Sequence, residues 1–179
     1  MLKTSLGMLE VLELPNGTQQ VKFPPAGSFD IVIVESTPSD AIPDAGRLLT
    51  GRPVQTVFLT LGTGQDWILK YCLPAAGSSS GQAGMVVTLG RQPRVDPPFI
   101  QQAFIPPQKM VQSTQPALFQ GVLGANGRFV HLRPVQDADY QPQPELLPYL
   151  EQWQFRPAKV DGVPGDVEVL LLIPPFLRP

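Results

Sequence analysis

Leu146-Leu147-Pro148-Tyr149-Leu150-Glu151-Gln152-Trp153-Gln154-Phe155-Arg156-Pro157-Ala158, then Asp161-Gly162-Val163-Pro164, then Val167-Glu168-Val169-Leu170-Leu171-Leu172-Ile173: this run decides the fold. Leu146, Leu150 and Trp153 recur at helical spacing, with Leu147 flanking the stripe, which predicts a short amphipathic helix over about 145–153. Pro148 lacks an N–H, and its ring clashes with the carbonyl four residues back, so the helix begins at about Glu145 or later. Roughly two turns cannot persist alone in water, so the stripe must be buried on a sheet. Trp153 and Phe155, two apart, plug the junction of helix and sheet. Asp161-Gly162 is a two-residue turn, and the apolar run after it is a strand. A period of about 3.6 giving way to about 2 predicts an α+β unit, a helix packed on antiparallel strands.

Composition bounds the rest. A chain of 179 residues holds one medium domain or two small ones. With 42% hydrophobic residues it can bury a core, and a net charge of −2 offers no field for nucleic acid. Its 22 prolines are far above the usual share of about 5%, so long helices give way to extended segments and turns. The single cysteine, Cys72, excludes an internal disulfide and a Cys-rich metal site. No apolar run approaches the ~20 residues of a membrane-spanning helix. Met1 to Leu9 carries one Lys and some apolar character, but Glu10 and Glu13 follow too soon for a signal peptide.

Outward from the C-terminal run, three sections are expected: a β-rich section 1–90, a Pro/Gln-rich connection 91–116, and the final unit 117–179. In the first, Asn16-Gly17 turns a hairpin between Leu9–Leu14 and Gln19–Phe23. Phe29 to Glu35, Val54 to Leu61 and Trp67 to Leu73 read as strands, Ala75 to Gly84 as a loop, and Met85 to Leu89 as a further strand. Gln92 to Pro116 is expected to run extended over a surface. The final unit reads as strand 117–123, turn Ala125-Asn126-Gly127, strand 128–135, loop 136–143, helix, and strand 166–173. Gly51-Arg52-Pro53 and its strand align with Gly162-Val163-Pro164 and its strand, which makes the first section a candidate degenerate copy of the last.

Chemistry is sparse. His131 is the only histidine, and alternation with Phe129 and Arg133 puts it on one face of a strand. Cys72, between Tyr71 and Leu73, reads as a small buried side chain. Asp137, Asp139 and Glu145 suit a helix start. Gly62-Thr63-Gly64 lacks the third glycine and the Lys-Ser/Thr of a phosphate loop and reads as a hairpin turn. There is no Gly-x-Ser-x-Gly elbow. The chain reads as a non-enzyme with no catalytic residue, metal site or cofactor. Arg156 projects outward or pairs with a strand carboxylate such as Glu168.

The order of Leu150, Trp153, Phe155, Arg156, Pro157, Ala158, Gly162, Pro164 and the apolar strand resembles the C-terminal domain of TonB-family energy transducers. In that family a helix runs into Trp-Arg-Phe-x-Pro-Ala, then a Gly-x-Pro turn and a last strand ending in Pro, as Pro174-Pro175 do here. Asn126-Gly127-Arg128 is similar to the family's Asp-Gly-Arg hairpin turn. The resemblance covers roughly residues 113–175. Phe29-Asp30-Ile31-Val32-Ile33-Val34, Gly51-Arg52-Pro53-Val54 and Trp67-Ile68-Leu69-Lys70-Tyr71-Cys72 look like the extra region before this domain in acidobacterial-type TonB-domain proteins. Two segments depart from the pattern. Phe104-Ile105-Pro106-Pro107-Gln108-Lys109 replaces a Tyr-Pro-x-x-Ala-Arg segment, and Gln136-Asp137-Ala138-Asp139 replaces Ser-Ser-Gly.

The resemblance implies a periplasmic or cell-envelope location, with the anchor or signal outside this chain. It also implies a partner, a TonB-dependent outer-membrane receptor whose short extended peptide adds to an exposed sheet edge. That edge is expected at Asp166, Val167, Glu168, Val169, Leu170, Leu171, Leu172 and Ile173. Inner-membrane motor proteins would act through a segment absent here, and an open edge also allows a homodimer. The alternative is an envelope scaffold that keeps the fold without receptor recognition.

Overall fold

In the computed structural model, residues 3–4, 7–8, 10–23, 45–51, 53–61, 66–74, 93–107, 113–137 and 139–175 are described. The strands expected at Phe29–Glu35 and Met85–Leu89, and the loop at Ala75–Gly84, lie outside them. Among the described residues, fourteen strands and two one-turn helices follow in chain order. They are β1 (Lys3–Thr4), β2 (Gly7–Met8), β3 (Glu10–Glu13), β4 (Gln19–Lys22), α1 (Ala45–Leu48), β5 (Gln55–Thr60), β6 (Asp66–Cys72), β7 (Val95–Asp96) and β8 (Phe99–Ile105). Then come β9 (Ala117–Leu123), β10 (Phe129–Pro134), a 3-10 turn Pro144–Leu146, α2 (Leu147–Leu150), β11 (Gln154–Arg156), β12 (Lys159–Val160), β13 (Val163–Pro164) and β14 (Val167–Ile173). Among the described residues every pairing is antiparallel, giving a β-rich fold of the α+β kind.

Two sheets enclose the core. One has the order β10-β9-β14-β6-β5, the other β11-β8-β4-β3. Alternate residues of the first point at the second: Trp67, Leu69 and Tyr71 from β6, Phe119 and Leu123 from β9, and Val167, Val169 and Leu171 from β14. Val21, Ile100, Ala103 and Ile105 answer from the second sheet. The opposite face of the five-stranded sheet is buried as well, where Leu118, Cys72, Leu170 and Leu172 pack with Leu49 and Tyr140. Burial on both faces explains why β14 reads Val-Glu-Val-Leu-Leu-Leu-Ile without polar alternation. Each fully buried aliphatic side chain here stabilises by about 1.5–3 kcal/mol.

The three expected sections do not stay apart. β6, from the first, lies against β14, from the last, with Glu168 to Leu172 in register with Cys72 to Ile68. β4 lies against β8, so the Pro/Gln-rich connection supplies a core strand instead of crossing a surface. Within Phe99–Ile105 the residues Ile100, Ala103 and Ile105 are buried, a strand hidden by the prolines and glutamines around it. Nor do the aligned halves occupy equivalent places. β5 borders the sheet that β14 bisects. A Cβ on Gly51 would sit 1.6 Å from the Leu73 carbonyl oxygen, whereas one on Gly162 would meet nothing within 4 Å.

Hairpin chemistry follows the residues that demand it. Asn16 Oδ1 accepts from the Thr18 N–H at 3.0 Å, and Gly17 takes φ +79° between β3 and β4. Asp161 and Gly162 both have positive φ, 50° and 86°, which a two-residue turn matched to the strand twist requires. The helix starts one residue before the expected limit. Pro144 opens it as a 3-10 turn, and α2 adds a single α-turn bearing Pro148.

Candidate functional site

The residues of the C-terminal motif converge on one aromatic cluster. Trp153 is fully buried and stacks on Trp67, centroids 5.3 Å apart at 26°. Phe129 and Phe155 close the group, with centroids 5.1 Å apart edge to face. The Trp153 indole N–H donates to the Phe104 carbonyl at 2.9 Å, tying the helix end to β8. Leu146 and Leu150 complete the buried stripe, and Leu147 is half-buried at its flank.

Asn126-Gly127-Arg128 serves the same junction. Asn126 Oδ1 accepts from the Arg128 N–H at 3.0 Å, and the Ala125 N–H donates to Asp166 Oδ1 at 2.8 Å. Gly127 has φ +75°, and its carbonyl accepts the Phe155 N–H at 2.8 Å. A Cβ there would stand 2.0 Å from the Phe155 oxygen, so β11 can come this close only to glycine. Arg156 neither projects freely nor reaches Glu168. Its guanidinium lies over the Phe99 ring, 5.7 Å from the centroid. Glu168 instead accepts from the Thr50 N–H at 2.7 Å and the Thr50 hydroxyl at 2.5 Å. Pro157 is half-buried, Ala158 is fully buried, and Gly162 and Pro164 are exposed in the β12–β13 hairpin.

The expected docking strand is not an edge. β14 is the middle strand of five, paired along 167–173 with β9 on one side and along 168–172 with β6 on the other. Its ladder groups are therefore engaged on both sides. The sequence held the signal. Residues of both parities in 167–173 are apolar, apart from Glu168, and an edge facing water would alternate.

Among the described strands the outer positions fall to β10 and β5 in one sheet and to β11 and β3 in the other. β10 is blunted. His131 takes φ +54°, and the register slips between Val130 and Arg133, so that His131 and Leu132 together oppose Gly121. The bulge brings the Leu132 Cα to 2.9 Å from where a Cβ on Gly121 would be, which explains the glycine. It also breaks the alternation expected of Phe129, His131 and Arg133. Leu132 turns into the core, while His131 stays exposed.

Cys72 is buried, with its Sγ 3.7 Å from Glu168 Oε2. Among the described residues no cluster of three His, Cys, Asp or Glu could hold a metal, and no helix is long and apolar enough to cross a membrane. No family model, no curated protein and no solved structure matches this chain.

Proposed function

We propose that this chain is a non-enzymatic interaction module of the cell envelope. Its C-terminal unit is similar to that of TonB-type transducers, and it works as an adaptor or scaffold by pairing its outer strands with extended segments of partner proteins. The resemblance of Asn126-Gly127-Arg128, Trp153 to Ala158 and Gly162-Val163-Pro164 supports the envelope setting. The joint role of Gly127, Trp153 and Phe155 in one aromatic junction supports reading them as a structural motif and not as a reactive site.

One observation carries the form of the proposal: β6 lies along β14 where a receptor peptide would add. A receptor segment must then either displace the β5–β6 hairpin or use an outer edge. Displacement would uncover Trp67, Leu69 and Tyr71 from the core, which favours the outer edge and the scaffold form of the reading.

An NMR titration of the isotope-labelled full chain with peptides from outer-membrane receptors tests it. Shifts confined to outer strands support the adaptor. Shifts spread over 66–72 and 167–173 would instead mean that the hairpin is displaced and the chain behaves as a transducer. A folded spectrum that no receptor peptide perturbs leaves only the scaffold.

A further inference from the structure

We propose that β3 is a docking edge for an extended cationic–apolar segment of a partner, one that sets Lys or Arg opposite Glu13 and Glu10 and apolar side chains opposite Leu12 and Val11. The inference names an edge and a partner chemistry within the strand-addition reading above, and rests on that reading for its biological setting.

Backbone geometry comes first. β3 ends the order β11-β8-β4-β3, and its pairing with β4 runs without a register shift from Glu10↔Lys22 to Glu13↔Gln19. The Leu14 N–H donates to the Thr18 carbonyl at 2.8 Å. Antiparallel ladders alternate bonded and non-bonded pairs, so Leu12 and Glu10 exchange bonds with β4, while Val11 and Glu13 turn their N–H and C=O outward. The Phe23 N–H bond to the Gln101 carbonyl, 3.0 Å, agrees, because it assigns the odd residues of β4 to β8. An incoming strand would thus meet two donors and two acceptors on Val11 and Glu13.

Side chains add the specificity. Val11 and Leu12 are consecutive, so they stand on opposite faces, yet they are 36% and 42% exposed. One added strand would cover both. Proteins guard such edges with short length, charged side chains, proline or a bulge. β10 has the bulge and Pro134, whereas β3 has neither and the charges in its Glu-Val-Leu-Glu are both acidic, a guard that repels an acidic strand and attracts a cationic one. In register, Glu10 is the partner position of Lys22 and Glu13 that of Gln19. A cation opposite Glu13 would therefore add the larger new attraction. A second copy fits less well: self-pairing through this edge sets outward residues opposite outward residues, so its fullest overlap puts Val11 opposite Glu13 and Leu12 opposite Leu12 and offers neither glutamate a cation.

The test uses the full labelled chain and two capped eight-residue peptides with central order Lys-Val-Val-Lys or Glu-Val-Val-Glu. The first should shift the amides of 10–13 and 19–22 saturably, and the second should leave them unchanged. Glu10→Lys with Glu13→Lys should invert that preference, weakening the Lys peptide by about tenfold. Val11→Pro removes an outward donor without touching the β4 ladder, so it should keep a dispersed spectrum and lose both responses. Should Val11→Pro unfold, the charge-reversed pair still decides. Silence of 10–13 at millimolar Lys peptide would overturn the proposal, as would equal response to both peptides. Concentration-dependent shifts there without peptide would overturn it in favour of a second copy. Receptor peptides that bind nowhere while the Lys peptide binds β3 would sink the envelope reading alone.

Discussion

Trp153→Ala removes a side chain that touches both sheets through polar and apolar contacts at once. The indole is fully buried, stacked 5.3 Å from Trp67, and donates at 2.9 Å to Phe104. Truncating a buried tryptophan costs about 3–5 kcal/mol in transfer and cavity terms. The lost aromatic pairing adds about 0.5–1.5 kcal/mol, and the stranded Phe104 carbonyl about 1 kcal/mol more. A loss of about 5 kcal/mol is comparable with the whole stability of an ordinary domain, roughly 5–15 kcal/mol. The variant should be largely unfolded or unfold at much lower urea, followed by circular dichroism and by the fluorescence of the remaining Trp67. Trp153→Phe keeps much of the volume but loses the donor, and should fall between wild type and Trp153→Ala. A Trp153→Ala midpoint within about 1 kcal/mol of wild type would refute the account, since no buried tryptophan with these contacts is so cheaply removed.

Three further outcomes are expected. The fragment 108–179 should fail to give a dispersed spectrum as a monomer, because β14 loses β6 and Trp153 loses Trp67; a stable monomeric fold from size exclusion and NMR would contradict the shared sheet. Gly127→Ala meets both a left-handed φ and a carbonyl 2.0 Å from the new Cβ, whereas Gly162→Ala meets only the φ. The latter should cost about 1–2 kcal/mol and the former clearly more in urea melts, and equal costs would remove the close-approach argument. Burial, and secondarily the negative charge of Asp96, pushes the Tyr71 phenol above its ordinary value near 10. The folded chain then holds that proton more tightly, so this contribution is full below pH 10 and falls as pH rises past it. Wild type should lose stability more steeply than Tyr71→Phe between pH 9 and 11 in paired melts, and parallel slopes would contradict the shift.

Local features were legible because their causes are local. Asn16-Gly17, Asn126-Gly127 and Asp161-Gly162 each carry the glycine or Asx group that their turn needs. Leu146, Leu150 and Trp153 make a stripe that only burial explains. What composition obscured was pairing between distant strands. β8 sits in a proline- and glutamine-rich stretch whose average hides seven residues of strand. β14 was expected at an edge because the resemblance suggested one, although its apolar residues on both parities argued for the middle of a sheet. The His131 bulge follows from the backbone closing on Gly121, which single-strand alternation cannot express. Nothing on β3 stands out in sequence, because Glu-Val-Leu-Glu gains interest only from its place at the end of a sheet among the described strands.

The middle position of β14 also orders the making of the molecule. β14 leaves the ribosome after both strands it joins, and its partner residues on β6 precede it by roughly a hundred positions. Until 167–173 emerge, the five-stranded sheet can exist only as the separate hairpins β5–β6 and β9–β10, each with an apolar flank awaiting the same strand. Contacts of such sequence separation make folding slow, since a long loop must close before any of them forms. Closure therefore waits until β14 has emerged. In the interval the two hairpins carry apolar flanks and open edges, the surfaces through which unfinished chains associate wrongly.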